Sequence, residues 1–381
     1  MESSTPTPLP DAGQSRHVTV LVVGAGQAGL SAASHLQRRG FLPLGPSVFA
    51  SASADGGTVP GTFAVLDADA APGGAWRHRW DSLTMGTVNH IHELPGHPVP
   101  PADPAARANR VLPDYFAEYE RMFDLPVHRP VTVHRVEHAE GGGFRVLADG
   151  GDWHADWIVN ATGTWTSPHW PAVPGQRSFR GRQSHTHDYR AKEDFAARRV
   201  VVVGMGVSAT QLLAEISTVA ADTLWATRRE PHWIDDPAPG RLAEAVQGVD
   251  ERTRAGLPPA SVVSATGMFR APWVREAEAR GVMVRRPMFT AVEPEGVRLP
   301  DGTLWPADDI LWCAGFRPAM RHLAPLHLRT PDGGIAVVGG RSVAEPRLFL
   351  IGYGPSQSTV GANRAGRDAV RAILAELRPR R

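Results

Sequence analysis

A single cysteine, Cys313, and a single lysine, Lys192, stand in 381 residues. One cysteine permits neither an internal disulfide nor a CxxC pair, which excludes dithiol redox chemistry. Covalent lysine chemistry would fall on Lys192 alone, and its setting in the charged run RAKEDF reads as solvated surface. An excess of one charge is also missing. Lys and Arg total 40 against 39 Asp and Glu, a formal net charge of +1, with no basic stripe to follow a nucleic acid backbone. No apolar run approaches the roughly 18 residues that a membrane span requires. The opening MESSTPTPLPDAG has neither the basic start nor the apolar stretch of a signal peptide. It reads as a disordered lead-in over 1–16, and a cytoplasmic location is expected. The 16 histidines include His90, His92 and His97, and the pair His185 and His187. Without cysteine or a carboxylate set at ligand spacing, no metal is expected.

Glycine is plentiful, and two clusters of it carry information. GAGQAG places Gly24, Gly26 and Gly29 after an apolar run ending at Val23; GMGVSA places Gly204, Gly206, Ser208 and Ala209 after VVVV ending at Val203. Each opens into a helical segment, the context in which backbone N–H groups meet a pyrophosphate. Two such loops suggest two dinucleotides, FAD and a nicotinamide nucleotide. The strand FAVLDAD ends in carboxylates, so Asp67, with Asp69 second, is the candidate for the adenosine ribose hydroxyls. Gly29 and Asp67 stand 38 positions apart, which requires the Gly, Ser and Pro-rich interval from Pro43 to Gly61 to be an inserted loop. In the second unit TLWATRRE, Thr223 to Glu230, carries Thr227, Arg228 and Arg229 at the strand end, where an NAD site would carry an acid. Guanidinium groups there would pair with a 2′-phosphate, which points to NADPH.

The length exceeds the roughly 250 to 300 residues at which single cores stop growing, so two domains are expected. Short β-rich runs from Val127 to Trp157 suggest a meander closing on NATG; a polar, Pro-containing stretch follows the second unit to about Gly256. After Pro294 the rhythm of turn, strand and ATG-like end returns in LPDGTLWPADDILWCAGFRP. The expected fold is α/β, with two Rossmann-like three-layer dinucleotide-binding domains, the NADPH domain (167–295) inserted into the FAD domain (17–166 and 296–381).

Between the glycine loops, FRGRQSHTHDY fits FxGxxxHxxxY through Phe179, Gly181, His185 and Tyr189. With that motif the chain resembles the flavin-containing monooxygenases, class B single-component flavoprotein monooxygenases, along nearly its whole length. The fingerprint is in its N- and S-oxygenase form; Baeyer–Villiger members usually carry tryptophan or another variant at the last position. The resemblance implies an NADPH-consuming enzyme that uses a flavin (4a)-hydroperoxide to oxygenate a small organic molecule with molecular oxygen, most readily at nitrogen or sulfur. It places Gly74 and Trp76 of GGAW beside the FAD, Ala161, Thr162 and Gly163 in an ATG turn, and Gly315 of CAGFRP in a second copy. Thr359 would open a terminal helix whose positive end faces the flavin pyrimidine edge. Asn89 is the candidate active-site asparagine, and a turn-capping role is the equal alternative. The fingerprint residues resemble a linker that governs closure and cofactor order. Trp76, Trp80, Trp165 and Trp170 could line a pocket, with core the default.

Other readings stay open: Baeyer–Villiger oxygenation, oxidative decarboxylation of a keto acid, an NADPH oxidase, or a flavin-binding redox sensor without oxygenating activity. The arginine-rich, lysine-poor composition suggests bacterial origin, and the resemblance adds that such bacterial enzymes often tailor secondary metabolites. A homo-oligomer is compatible with the sequence, which identifies no substrate.

Overall fold

The computed structural model describes residues 16–45, 60–88, 91–234, 241–259 and 267–377. The lead-in to residue 15, most of the Pro43–Gly61 interval and Asn89 lie outside these residues. In chain order the first unit contributes β1 (Arg16–Val23), α1 (Gln27–Arg38), β2 (Leu42–Pro43), β3 (Thr62–Leu66), α2 (Ala108–Met122), β4 (Val127–His128), β5 (Val133–His138), β6 (Phe144–Ala148) and β7 (Gly151–Asn160). The middle of the chain gives β8 (Arg182–His185), β9 (Arg199–Val203), α3 (Val207–Ile216), β10 (Asp222–Thr227), β11 (Trp233–Ile234), α4 (Arg241–Arg254), β12 (Met268–Phe269), α5 (Pro272–Ala279) and β13 (Arg285–Pro287). After these come β14 (Ala291–Glu293), β15 (Gly296–Arg298), β16 (Leu304–Pro306), β17 (Asp309–Trp312), β18 (Val337–Val338), β19 (Arg341–Ser342), β20 (Leu348–Leu350) and α6 (Thr359–Leu377).

The first sheet runs β18-β19-β20-β7-β1-β3-β2, with β4 on β3 and the β5–β6 meander on β7. The second is fully parallel, β13-β10-β9-β17-β8. Their central strands are continuous apolar runs, as strands covered on both faces must be: residues 20–22 of β1 and 200–202 of β9 have no exposed surface. One face of the first sheet is covered by α1, and α6 lies on α1 so closely that a Cβ on Gly366 would stand 2.9 Å from the Ala32 nitrogen.

One expectation changes. Return to the first unit at 296 is overturned by strand pairing, because β17 lies between β9 and β8 in the second sheet. Val292, Val297 and Ala307 pack in that sheet's hydrophobic cluster, while Met320, Leu323 and Leu326 pack with the first. The repeated rhythm has a topological cause: β7 borders β1 and ends in ATG, and β17 borders β9 and ends in CAG. Sheet membership puts the return near Ala319. The polar stretch before Gly256 contains a helix, α4, whose buried side is the narrow stripe Ala245, Val249 and Thr253 at i, i+4 and i+8.

Candidate functional site

A cleft of about 1090 Å³ opens over the C-terminal ends of β1 and β3. Residues 23–28, 66–69, 73–76, 131–135, 161–167 and 356–359 line it. Its floor is the first glycine loop, where the three glycines do three different things. Gly24 has φ +98°, and a Cβ there would come within 2.7 Å of Ala161 O. At Gly29 a Cβ would stand 1.8 Å from Gly24 O, so that glycine lets α1 close onto its own strand. Around Gly26 such an atom would meet nothing within 4 Å; the space over it is open. Gly26 is also the N-cap of α1, with no side-chain cap and no acid in the first turn. The positive helix end is left for an anion, which fits a dinucleotide pyrophosphate. Gly74 of the GGAW turn lies against this loop, with a notional Cβ 3.1 Å from Gly26 Cα.

Asp67 lines the cleft just past β3 and is 8% exposed. Its Oδ2 accepts from Arg129 Nε at 2.6 Å, and the remaining Arg129 nitrogens fork onto Glu120 at 2.5 and 2.8 Å. Burial pushes the Glu120 carboxyl up against the opposing pull of Arg129. Asp69 also lines the cleft and meets His78 Nε2 at 2.8 Å. Thr359 is the first residue of α6, and its Oγ1 accepts from the His92 N–H at 3.1 Å at the cleft wall.

Trp76 and Trp165 line the cleft, Trp80 is buried behind them, and Trp170 is 42% exposed outside it. Among the three inner indoles lies Arg79, a residue the sequence showed only as one of the basic letters in RHRW.

The two ATG-like turns meet. Ala161 N–H donates to Val23 O at 2.8 Å, and Thr162 Oγ1 donates to Ala319 O at 2.7 Å. Gly163 has φ +62° and its carbonyl accepts from Ala319 N–H at 2.9 Å. Further along, Arg317 N–H reaches Ser167 O at 2.8 Å and His169 N–H reaches Gly315 O at 2.9 Å. The chain thus crosses between the units twice, side by side. Next to this hinge, Asn160 Oδ1 accepts from the buried His322 Nε2 at 2.7 Å, and burial lowers His322 to about 4.

The fingerprint residues lie at the hinge and β8, outside the cleft lining. His185 Nδ1 accepts the His187 N–H at 3.1 Å, which leaves Nε2–H to donate to Gly315 O at 3.0 Å. Burial pulls this histidine down, consistent with the neutral tautomer. A Cβ on Gly181 would lie 2.4 Å from Asp308 O and 2.5 Å from the Phe179 ring. Tyr189 is buried, edge-on to Trp80 and stacked on Phe195, each at 5.8 Å.

The second loop repeats the first. Gly204 has φ +140° and a Cβ would stand 2.3 Å from Cys313 O; Gly206, the uncapped N-cap of α3, has open space above it. Ala209 is fully buried where the first loop has Gly29, and Ser208 lies in the first turn of α3. Cys313 is buried, and burial pushes its thiol up to about 12. Arg228 and Arg229 are exposed at the end of β10. Thr227 differs from the expectation. It is 1% exposed, its hydroxyl donates to Arg229 O at 2.6 Å and accepts from Arg285 Nε at 2.9 Å, so it braces the strand end and offers no hydroxyl to a phosphate. None of the second-loop candidates lines the cleft.

Sequence reasoning missed Arg129, Glu120, Arg285, His322 and the Arg79 cluster. For His322 the only signal was its position shortly after the second ATG-like turn.

The sequence model of the pyridine nucleotide-disulphide oxidoreductase family matches residues 79–243. An oxidoreductase described as CzcO-like from Geobacillus kaustophilus is 30% identical over 52% of this chain and 51% of that protein. Indole-3-pyruvate monooxygenase YUCCA1 of Oryza sativa is 31% identical over 56% of this chain and 48% of that protein. The chain spans about half the length of these curated relatives. The solved structure of a flavin-containing monooxygenase from Stenotrophomonas maltophilia is 36% identical, with a TM-score of 0.76 over 95% of this chain and 99% of that one. A likeness that runs end to end at this identity makes the assignment: the chain belongs to the flavin-containing monooxygenase family, whose members use FAD and NADPH.

Proposed function

We propose that this chain is an FAD-dependent, NADPH-consuming monooxygenase that places one atom of O₂ on nitrogen or sulfur of a small organic substrate and releases the other as water. One observation carries the reading. An uncapped helix N-terminus under a bare glycine occurs twice, once at the floor of a large cleft and once in a second sheet joined to the first by a double hinge. Bound FAD would supply the hydride acceptance and oxygen activation that no side chain here offers.

The protein's own part is positioning. Gly24, Gly26, Gly29 and the α1 terminus hold the FAD pyrophosphate, and Asp67 faces its ribose. Gly74, Trp76, Ala161, Thr162 and Gly163 wall the cleft, with the α6 terminus at Thr359 directing its positive end inward. Gly204, Gly206, Ser208 and Ala209 receive the NADPH pyrophosphate, and Arg228 and Arg229 its 2′-phosphate. Residues up to about 166 and again from about 319 form the FAD unit, and the stretch between them the NADPH unit. Trp76, Trp80 and Trp165 exclude water from the reacting end.

Relatives include proteins named for S-oxygenation, Baeyer–Villiger oxidation and indole-3-pyruvate oxygenation. Tyr189 at the last fingerprint position favours nitrogen or sulfur for this chain. The test has two stages. NADPH added without oxygen should bleach the visible flavin band; turnover under ¹⁸O₂ with a thioether, a tertiary amine and a ketone should then put label on sulfur or nitrogen, one product per NADPH. Labelled ester from the ketone alone would support the carbonyl reading, and peroxide without labelled product would support an oxidase.

A further inference from the structure

Arg79 is buried in an unusual setting. Its guanidinium carbon lies 4.3 Å from the Trp165 ring centroid, 5.7 Å from Trp76 and 5.9 Å from Trp80. Burial lowers it to about 10, and no charged neighbour contributes to that shift. Among the described residues no carboxylate is paired with it, and its Nε has no acceptor. Trp80 Nε1 and Trp165 Nε1 are likewise buried without an acceptor. Unpaired buried donors are uncommon, and here three gather in one cluster. Cation–π contact with the indoles offsets part of the cost of burying the charge but supplies no oxygen to accept a hydrogen bond. Asn109 Oδ1 is an unpaired buried acceptor nearby, but its amide nitrogen is already directed to Arg79 O at 2.9 Å and Asp81 Oδ1 at 2.8 Å.

We propose that Arg79, with the indole N–H of Trp165, is the receptor for the carboxylate of an anionic substrate whose apolar body lies against the indole faces at that end of the cleft. It deepens the monooxygenase reading, on which it rests only for calling the ligand a substrate. A carboxylate meets the planar fork of a guanidinium in two parallel hydrogen bonds, and flat indole faces suit an apolar or aromatic body. Arg79, Trp76 and Trp165 line the cleft. Trp165 also stacks on Phe316 at 5.0 Å and packs on His187 at 5.1 Å, so the cluster occupies the end nearest the second unit. The pyrophosphate has its own donors at the α1 terminus and requires none of these.

The test uses flavin-loaded protein and two probes of matched shape, (phenylthio)acetate and (phenylthio)acetamide, with bound ligand measured by equilibrium dialysis. The acid should bind at least about tenfold tighter than the amide, the range expected for a charge-assisted pair. Arg79→Met should erase the preference while keeping flavin content, NADP⁺ affinity and melting temperature at or above wild type. Arg79→Lys should retain part of the preference. Equal binding of acid and amide by wild type overturns the proposal, whether or not a variant folds. A preference that survives Arg79→Met also overturns it, as does loss of flavin or NADP⁺ from that variant, which would assign the guanidinium to a cofactor. The readout is binding without turnover. A protein that prefers the acid but oxygenates nothing would therefore sink the monooxygenase reading alone, and one that oxygenates neutral sulfides but ignores the carboxylate would sink the receptor alone.

Discussion

Arg129 joins two carboxylates from different parts of the first unit: its Nε is 2.6 Å from Asp67 Oδ2 at the cleft, and its other nitrogens hold Glu120 on α2. All three side chains are about nine-tenths buried. The candidate ribose ligand is thus held by a cation that is itself fixed from behind. Arg129→Met would leave two buried carboxylates without their common partner. We expect a loss of about 3–5 kcal/mol in unfolding free energy, measured by urea denaturation, and weaker FAD retention.

The glycines of the first loop separate stability from binding. Gly26→Ala adds an atom to open space, so the flavin-free protein should melt as flavin-free wild type does while FAD content falls at least about tenfold, because the backbone can no longer approach the pyrophosphate. Gly29→Ala drives a Cβ into Gly24 O and should lower soluble yield and melting temperature first. Absorbance ratio and thermal scans on the two variants check both. Equal flavin content in Gly26→Ala and wild type would remove that loop from the cofactor site.

At the second loop, Arg228→Gln and Arg229→Gln should raise KM for NADPH with little change for NADH, each by about fivefold to fiftyfold, and leave stability within about 0.5 kcal/mol because both residues are exposed. Thr227→Val should behave in the opposite way. It removes a buried hydroxyl that both donates and accepts, costs about 1–3 kcal/mol, and changes the NADPH to NADH ratio little.

His322 makes acid stability testable. Its folded value of about 4 lies below the 6.5 of an unpaired histidine because burial disfavours the charged ring. A depressed value means that the unfolded chain takes the proton first. The stability is therefore complete above about pH 6.5 and lost as pH falls toward about 4, with a ceiling near 3 kcal/mol. His35, lowered to about 4 by burial and by surrounding arginines, acts in the same window. His322→Gln should reduce the slope of unfolding free energy against pH between those limits by up to one proton's share; an unchanged slope would exclude His322 as a contributor.

Legibility followed the range of the interactions. The two glycine loops, GGAW and the ATG turns could be read because each is a local backbone requirement, and the cleft is built from the first loop, GGAW and the first ATG turn. Asp67 was visible as a strand-end acid, but Arg129 comes from 62 positions later and no pattern marks it. Asn160 and His322 meet across 162 positions for the same reason. β17 was read as a strand and placed in the wrong sheet, since strand order in a parallel sheet does not follow chain order. Thr227 was chosen for its hydroxyl, and only the neighbouring strand, which carries Arg285, shows that this hydroxyl is already in use. Asn89 lies outside the described residues.

The paired crossings at 164–170 and 315–319 have a mechanical consequence. A single connecting strand would let one body swivel about every axis. Two rails tied by hydrogen bonds resist twist and splay and leave bending about their common line as the soft direction. Phe316 and Trp165, stacked across the rails, tie the aromatic end of the cleft to both of them.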